Sequence, residues 1–393
     1  MTNELTSVEP REQAGRDAIT AFSGQFRAAG YAALEILDDG PVIFVYCDFH
    51  DDYVVKLETS EGVFYRFFQV KYKLKRNHQW KPLDLFGVPL KGKKIDPTSV
   101  KNSFCAKMFE HVINFGDKCE SIALETNVHF HDKVEELCKS AEKNDLSHID
   151  LTIFKKIRDA FIERFSSAEF DSHVICYYLE KYFSVFKLMP ASSYMNEDSG
   201  QFEMHAGQRI YKYSEIELSQ KEKESISKSL VELVRSKSEG RIGSKITEEE
   251  LNKLAGIGLD DLLSILSISR RAYMALSSGG DKKAIKNTSI LQRVLLDWEC
   301  SEDIIVFCCK MKNKWDEWLR INRHDIASLD LNFLIDRLYR LIKSIEKAEE
   351  PFVQLQIEIE ELYSSLSEEI KERGISKEIL LGGFMASIVR GEL

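Results

Sequence analysis

Residues 42–71, VIFVYCDFHDDYVVKLETSEGVFYRFFQVK, decide the fold of the first part of the chain. Three β-strands are predicted within them. Val42–Cys47 is a continuous apolar run, Tyr53–Leu57 is short and β-branched, and Val63–Val70 is rich in aromatic residues. Glu61-Gly62 is typical of a hairpin turn between the last two strands. The pattern therefore predicts strands that lie side by side in one sheet.

Helical patterns flank these strands. Residues 9–37 carry Pro10 near their start and an alanine-rich stretch, which predicts one helix, or two if Gly24 and Gly30 interrupt it. A second helix is expected over Ser99–Asn114, before a short strand at Ile122–Leu124. The resulting α-β-β-β-α-β order favours a mixed central sheet flanked by helices.

The remainder of the chain has a different character. Polar segments without periodicity at residues 191–208 and 236–244 indicate linkers, and helical spacing dominates beyond them, starting with residues 251–268. We therefore expect an α/β domain over residues 1–230, with its core at 8–130 and a helical extension. A mainly α-helical interaction or oligomerisation domain is expected over residues 231–393.

Composition narrows the class of protein. The 393 residues carry a net charge of −10, which argues against a protein that coats nucleic acid without specificity. No apolar run approaches the roughly 18 residues of a membrane span, and the first residues do not resemble a secretion signal. Eight cysteines form no C-x-x-C pair, so neither disulfides nor structural zinc are expected. We expect a cytoplasmic protein that is not associated with a membrane.

One stretch after the third strand is strongly basic. A solvated loop explains such a run, but its position directly after Gln69-Val70-Lys71 also suits binding to DNA phosphates. The candidate DNA-binding residues are Lys73, Lys75, Arg76, Lys91 and Lys93.

Carboxylates and a lysine are expected to meet at the end of these strands. Side chains alternate along a strand, so Gln69 and Lys71 share one face, and Asp51-Asp52 begin the neighbouring strand. Oxygen ligands of this kind suit Mg²⁺, and a nearby lysine can stabilise developing charge on a phosphate. Spacing alone also permits a structural role, in which the aspartates cap a hairpin and Lys71 merely ends a strand.

A set of motifs in a fixed order resembles a known family. Together these motifs look like the nuclease domain of the CD-NTase-associated double-stranded DNA endonucleases, which belong to the restriction-endonuclease-like PD-(D/E)xK superfamily. The resemblance covers about residues 8–190. The motifs are REQAGRDA (residues 11–18), FSGQ (22–25), CDFHDD (47–52), FFQVK (67–71), NSFCAKMF (102–109) and ETN (125–127).

The resemblance implies roles for individual residues. Asp52 would be the principal ligand of Mg²⁺ or Mn²⁺, with Asp51 beside it as the alternative. Gln69 would replace the second acidic residue of the motif, and Lys71 would be the catalytic lysine. Glu12, on the first helix, would approach the metal or its water. Gln25 would support the site.

The family also implies a biological role. Because the second domain is expected to be helical and short, the chain is most similar to the nuclease effector of Lamassu-type bacterial defence systems. That resemblance implies an SMC-like ATPase subunit and a small accessory subunit as partners, and assembly into dimers or tetramers when active. A nuclease gated by a cyclic nucleotide and a non-catalytic DNA-binding subunit remain as alternatives.

Overall fold

The computed structural model describes residues 12–91, 95–142, 151–167, 170–196, 200–243 and 245–390. The chain divides into two compact units. The first comprises Met1–Ile210 and Leu218–Leu259, and the second comprises Tyr211–Glu217 and Asp260–Leu393. The expected domain limits, 1–230 and 231–393, stay a proposal. Within the described residues, no helix combines the length and apolar character needed to span a bilayer.

The strands begin with the three that the sequence predicts. Together the strands are β1 (Val42–Phe49), β2 (Asp51–Thr59), β3 (Gly62–Lys71), β4 (Gln79–Trp80), β5 (Cys119–Thr126), β6 (His129–Phe130), β7 (Phe186–Met189) and β8 (Gly256–Ile257). Six of them form a sheet in the order β7-β5-β3-β2-β1-β8. β1, β2 and β3 pair antiparallel, whereas β3-β5 and β5-β7 pair parallel. The expected mixed sheet is confirmed.

The helices occupy most of the remaining described chain. They are α1 (Gln13–Ala33), α2 (Pro82–Phe86), α3 (Pro97–Lys101), α4 (Phe104–Phe115), α5 (Asp132–Glu142), α6 (Leu151–Phe165), α7 (Ser172–Val185), α8 (Gln201–Ser214), α9 (Gln220–Ser238), α10 (Glu248–Leu254), α11 (Leu259–Ile265), α12 (Arg270–Ser277), α13 (Ala284–Asp297), α14 (Glu302–Asn322), α15 (Ser328–Ile345), α16 (Pro351–Ser365), α17 (Glu368–Glu372) and α18 (Lys377–Val389).

Helices cover both faces of the sheet. α1 and α9 pack on one face, and α4 and α7 pack on the other. α1 is a single helix that runs unbroken through Gly24 and Gly30. Gly24 permits close packing, because a Cβ there would lie 2.8 Å from the Tyr72 ring. The flanked sheet and the mainly helical second part of the chain are therefore as expected.

Three local expectations are wrong. The helix expected over 99–114 is broken at Ser103, whose hydroxyl accepts a hydrogen bond from the Ala106 amide and so starts α4 as a new helix. Residues 201–208, expected to be linker, begin α8, because Phe202 and Ala206 are buried one helical turn apart. The helix expected over 251–268 is interrupted by β8, which pairs with β1.

The second unit has a core of its own between α14, α15 and α18. Trp315 of α14, Leu338 of α15 and Phe384 of α18 are all buried in it. Gly382 and Gly383 let α18 approach α14 closely. At Gly382 a Cβ would lie 2.0 Å from the Met311 carbonyl oxygen, which belongs to backbone and cannot move aside.

We expect Gly382→Ala to lower the free energy of unfolding of the full chain by about 1–3 kcal/mol, because the added methyl overpacks the contact between α14 and α18. Gly15→Ala is the matched control, since a Cβ there meets no atom within 4 Å. The control should be neutral or stabilising by up to about 1 kcal/mol. Thermal and urea unfolding measure both, and equal stability of the two variants would contradict the packing argument.

Candidate active site

Asp52 and Gln69 each lie one position beyond the Tyr53–Phe68 pair of the antiparallel strands β2 and β3. Its Oδ2 atom accepts hydrogen bonds from the Gln69 side-chain amide and from the Val70 backbone N–H, the latter at 2.6 Å. The Lys71 Nζ atom is 3.7 Å from the same oxygen. The strand register therefore brings the three predicted residues Asp52, Gln69 and Lys71 together on one face of the sheet.

This environment acts on the Asp52 carboxyl in opposing ways. Burial raises the pKa of Asp52 above its ordinary value. The charge of Lys71 and the hydrogen bonds from Val70 and Gln69 oppose that rise, whereas the charge of Asp51 adds to it. The net direction is upward, so the fold holds a carboxylate where burial alone disfavours its charge.

Asp51 takes a different partner. Its Oδ2 atom is 3.1 Å from the His111 Nε2 atom, and its Oδ1 atom accepts the Asp52 backbone N–H at 3.0 Å. His111 belongs to α4 and stacks on Phe67 of β3 with ring centroids 4.3 Å apart. α4 thus anchors Asp51 from above the sheet. His111 was not among the predicted residues. The available signal was its position four residues after Lys107, which places both side chains on the same face of the predicted helix.

The turn that presents the two aspartates has an unusual backbone. Asp48 and His50 both have positive φ, at 51° and 65°. Such left-handed conformations are uncommon in residues other than glycine and are often found at functional sites. Partial burial and the neighbouring His111 lower the pKa of His50, and Asp51 opposes the shift.

The ETN motif holds the end of β3. The Thr126 hydroxyl donates to the Lys71 carbonyl at 2.6 Å. The Asn127 side chain accepts from the Lys73 N–H at 2.8 Å and donates to the Lys73 carbonyl at 2.9 Å. These bonds fix the backbone on both sides of Tyr72, so they set the position from which Lys71 extends.

Glu125 of the same motif serves the opposite face of the sheet. Its carboxyl is fully buried and accepts hydrogen bonds from the hydroxyls of Tyr53 (2.8 Å) and Tyr194. Burial raises the pKa of Glu125, and these donors oppose the rise. Tyr194 in turn stacks on Tyr31 of α1 at 4.2 Å.

α1 therefore packs on the sheet face that carries Tyr53 and Glu125. Asp52, Gln69 and Lys71 lie on the other face. Glu12 is exposed at the start of α1 and its side chain makes no capping hydrogen bond, while Gln25 is buried within α1. The structure does not join either residue to Asp52 by a hydrogen bond or ion pair among the described residues. Their roles at a metal stay predictions.

A cleft of about 430 Å³ adjoins Asp51 and Gln69. Its remaining lining residues are His50, Lys101, Asn102, Lys107, Glu110, His111 and Arg164. Three cations from α3, α4 and α6 thus meet two of the predicted site residues. The Arg164 Nε atom is buried and has no hydrogen-bond partner among the described residues, which leaves a donor available to a ligand. Lys101, Lys107 and Arg164 were missed because they converge only in the fold.

Of the predicted DNA-binding residues, Lys73 lies two positions beyond the end of β3. Lys71 Nζ is 4.8 Å from the centroid of the Phe104 ring, and Lys73 Nζ is 4.6 Å from that of Trp80. Lys75, Arg76 and Lys91 are exposed. Lys93 lies outside the described residues.

The donor set suits a hard cation. Within the described parts of the chain, no three His, Cys, Asp or Glu side chains are grouped as metal ligands. Asp51, Asp52 and the Gln69 amide supply two carboxylates and one neutral oxygen, and Mg²⁺ takes one or two carboxylates while keeping several waters. These residues therefore fit Mg²⁺ better than a metal that requires an all-protein cage.

Comparison with solved structures finds distant resemblances. One is the Acinetobacter baumannii Cap4 SAVED/CARF-domain containing receptor with the cyclic trinucleotide 2'3'3'-cAAA, at 11% identity and a TM-score of 0.36 over 63% of this chain and 44% of that one. Another is the Moraxella osloensis Cap4 SAVED/CARF-domain containing receptor, at 12% and 0.36 over 63% and 46%. This chain thus spans less than half the length of either. No curated protein matches.

A family comparison covers more than half of the chain. Residues 13–238 match the model described as "Cap4, dsDNA endonuclease domain". The matched stretch contains β1 to β7, the candidate site and its cleft. It also contains five of the six motifs that carried the resemblance in full, and part of the first. The chain belongs to the Cap4 double-stranded DNA endonuclease domain family.

Proposed function

We propose that this chain is a Mg²⁺-dependent endonuclease of the restriction-endonuclease-like PD-(D/E)xK type that cuts double-stranded DNA. Mn²⁺ would serve in place of Mg²⁺. The observation that carries the proposal is the meeting of Asp52, Gln69 and Lys71 on one sheet face, beside a cleft lined by cations.

Asp52, Asp51 and Gln69 would hold the divalent cation. When bound, such a cation polarises a phosphoryl oxygen and lowers the pKa of a bound water. With Gln69 in place of an acidic residue, the site has one carboxylate fewer than the common motif. The Gln69 amide carries both a hydrogen-bond donor and an acceptor. The amide thus pairs with Asp52 in the fold described above and offers its oxygen to a cation.

Lys71 supplies the positive charge that the reaction needs. Its ammonium lies close to Asp52 and is half-sheltered by Phe104. A preorganised donor at this position stabilises the charge that develops on the phosphoryl oxygens. The hydrogen bonds from Thr126 and Asn127 keep the backbone beside Lys71 in place, so little reorganisation is needed during the reaction.

The cations of the cleft would hold the DNA backbone. Lys101, Lys107 and Arg164 line the cleft beside Asp51, and Arg164 brings a buried donor that has no partner among the residues the structure describes. Arginine binds phosphate through paired N–H groups, which suits a fixed backbone position. Lys73, Lys75, Arg76, Lys91 and Lys93 are proposed to extend this contact along the duplex.

We expect Arg164→Ala to weaken DNA binding in EDTA and to reduce the slope of log Kd against log salt by about 1, because one phosphate contact is lost. Arg158→Ala is the matched control on the same helix, since Arg158 is exposed and pairs with Asp159. Fluorescence anisotropy over a salt series measures both. An unchanged slope in Arg164→Ala would show that Arg164 does not contact the DNA backbone.

Plasmid cleavage separates an endonuclease from a subunit that only binds DNA. The purified full chain should convert supercoiled plasmid to nicked and linear forms in Mg²⁺ or Mn²⁺, and EDTA should stop the conversion. Binding without cleavage under every metal condition would favour the non-catalytic alternative.

We further propose that partners control this nuclease, as the effector of a Lamassu-like bacterial defence system. An SMC-like ATPase subunit and a small accessory subunit would restrain it until DNA sensing releases it to oligomerise. The helical second unit supports this proposal. Large apolar side chains are exposed there at i, i+4 spacing, which is typical of protein contact surfaces. They are Leu329 and Phe333 on α15, and Val353 and Ile357 on α16.

The concentration dependence of cleavage tests the assembly step. If a dimer or tetramer is the active form, specific activity should rise with protein concentration, and Phe333→Ser should reduce both assembly and activity. The alternative of cyclic-nucleotide gating predicts instead that an added cyclic trinucleotide activates the isolated chain. Activity that depends on neither concentration nor ligand would contradict both forms of control.

A further inference from the structure

A second cavity lies beside the cleft on the sheet face that carries Asp52. Its volume is about 280 Å³. Tyr46, Val54 and Phe67 lie side by side across β1, β2 and β3 and contribute to its floor. Six rings line it in all: Tyr46, Phe49, His50, Tyr65, Phe67 and Phe115. We call it the aromatic cavity.

The rings form the walls of this cavity by contacting one another. His50 meets Phe49 edge-on at 4.4 Å and Phe115 edge-on at 5.4 Å. Phe115 also contacts Phe67 at 4.8 Å and Tyr65 at 5.8 Å. These contacts hold the rings in position around the cavity.

His50 connects the aromatic cavity with the candidate active site. The same residue lines both the aromatic cavity and the cleft that holds Asp51 and Gln69. Because the two spaces share His50, a DNA strand whose phosphate lies at the cleft would bring an adjoining sugar and base toward the cavity.

We propose that the aromatic cavity receives one nucleobase that leaves the base stack of the DNA when the neighbouring phosphate lies in the cleft. This inference rests on the proposed nuclease function and names how its substrate is held. Aromatic side chains stack on the faces of bases that have left the helix.

The size and charge of the aromatic cavity favour a nucleobase as its occupant. The volume falls just below the range of about 300–1,000 Å³ that is usual for pockets of drug-sized ligands, so it suits a single ring system. None of the residues that line it is a lysine or arginine, so it does not suit a phosphate group. Glu248 at its rim pairs with Lys56 through Oε1, and its Oε2 atom can accept a hydrogen bond from an exocyclic amino group of a base.

The test compares two duplexes of the same sequence, one fully paired and one with a single bulged adenine. Binding of the full-length protein is measured by fluorescence anisotropy in EDTA. The wild type should bind the bulged duplex about tenfold or more tightly, because the base is already free of its partner. Tyr65→Leu and Phe115→Leu should bring this ratio close to one, whereas Tyr65→Phe, which keeps the ring, should preserve it.

Tyr177→Leu is the control, because Tyr177 is an exposed aromatic residue of α7 outside the cavity. His50→Asn is the second variant should the leucine variants fold poorly, since asparagine tolerates positive φ. It should lower the ratio as well.

A ratio near one in the wild type, or one that persists in the leucine and His50→Asn variants, overturns the inference. Plasmid cleavage by the same preparation separates the two proposals. If the wild type cuts DNA but shows no preference for the bulged duplex, only the proposal for the aromatic cavity is contradicted. If it neither binds nor cuts DNA, the proposed nuclease function is contradicted as well.

Discussion

Replacing Lys71 by alanine is expected to lower the rate of DNA cleavage by at least about a hundredfold, which is the usual cost of losing one preorganised donor at a reacting centre. The fold should survive, because the Lys71 side chain is partly exposed and its backbone is held by Thr126 through the carbonyl. Initial rates on supercoiled plasmid measure the loss, and circular dichroism checks the fold.

Lys187→Ala is the matched control for this variant. Lys187 is an exposed lysine on β7 of the same sheet, so its removal changes the net charge equally but leaves the site intact. The control should cleave at the wild-type rate. Equal rates in Lys71→Ala and the wild type would remove Lys71 from the reaction.

Replacing Asp52 by asparagine is expected to lower the rate of DNA cleavage by as much as Lys71→Ala does. The same substitution should raise the thermal stability of the protein. The catalytic loss follows because an amide neither carries the charge that attracts a divalent cation nor balances Lys71. Plasmid cleavage in Mg²⁺ measures this part of the prediction.

The gain in stability follows from the pKa of Asp52, which burial raises in the folded state. A carboxyl whose pKa is raised in the folded state destabilises the fold once it ionises. The free energy of unfolding therefore begins to fall as pH rises through the unfolded pKa of about 3.9. The full loss of stability is reached above the folded pKa. Asparagine stays neutral, so Asp52→Asn should melt at a higher temperature than the wild type at pH 7 in EDTA. The two should converge in acid. A lower melting temperature at pH 7 would contradict this reading.

Much of the site could be predicted because its residues are close in sequence. β2 and β3 are joined by a short hairpin, so their alternating side chains bring Asp52 and Gln69 together with little freedom. The apolar, β-branched and aromatic residues of the three strands made the strands themselves predictable. The break between α3 and α4 could also have been predicted from the sequence, because serine, here Ser103, is a typical N-cap residue.

The remainder depends on contacts between distant parts of the chain. His111 reaches Asp51 from α4, Arg164 reaches the cleft from α6, and β8 joins β1 from about 200 residues away. Local periodicity carries no information on such meetings, which are set by how helices pack on the sheet. Glu12 was predicted to join the site without knowledge of which face of the sheet its helix covers, and its role stays a prediction.

Binding of Mn²⁺ to the full chain, measured by electron paramagnetic resonance, is the decisive test of a metal site at Asp52, because Mn²⁺ is paramagnetic and stands in for Mg²⁺. We expect the wild type, Lys71→Ala and Lys187→Ala all to bind Mn²⁺, and Asp52→Asn to lose this binding. If Asp52→Asn bound Mn²⁺ with the same affinity as the wild type, a metal-dependent nuclease site at Asp52 would be contradicted.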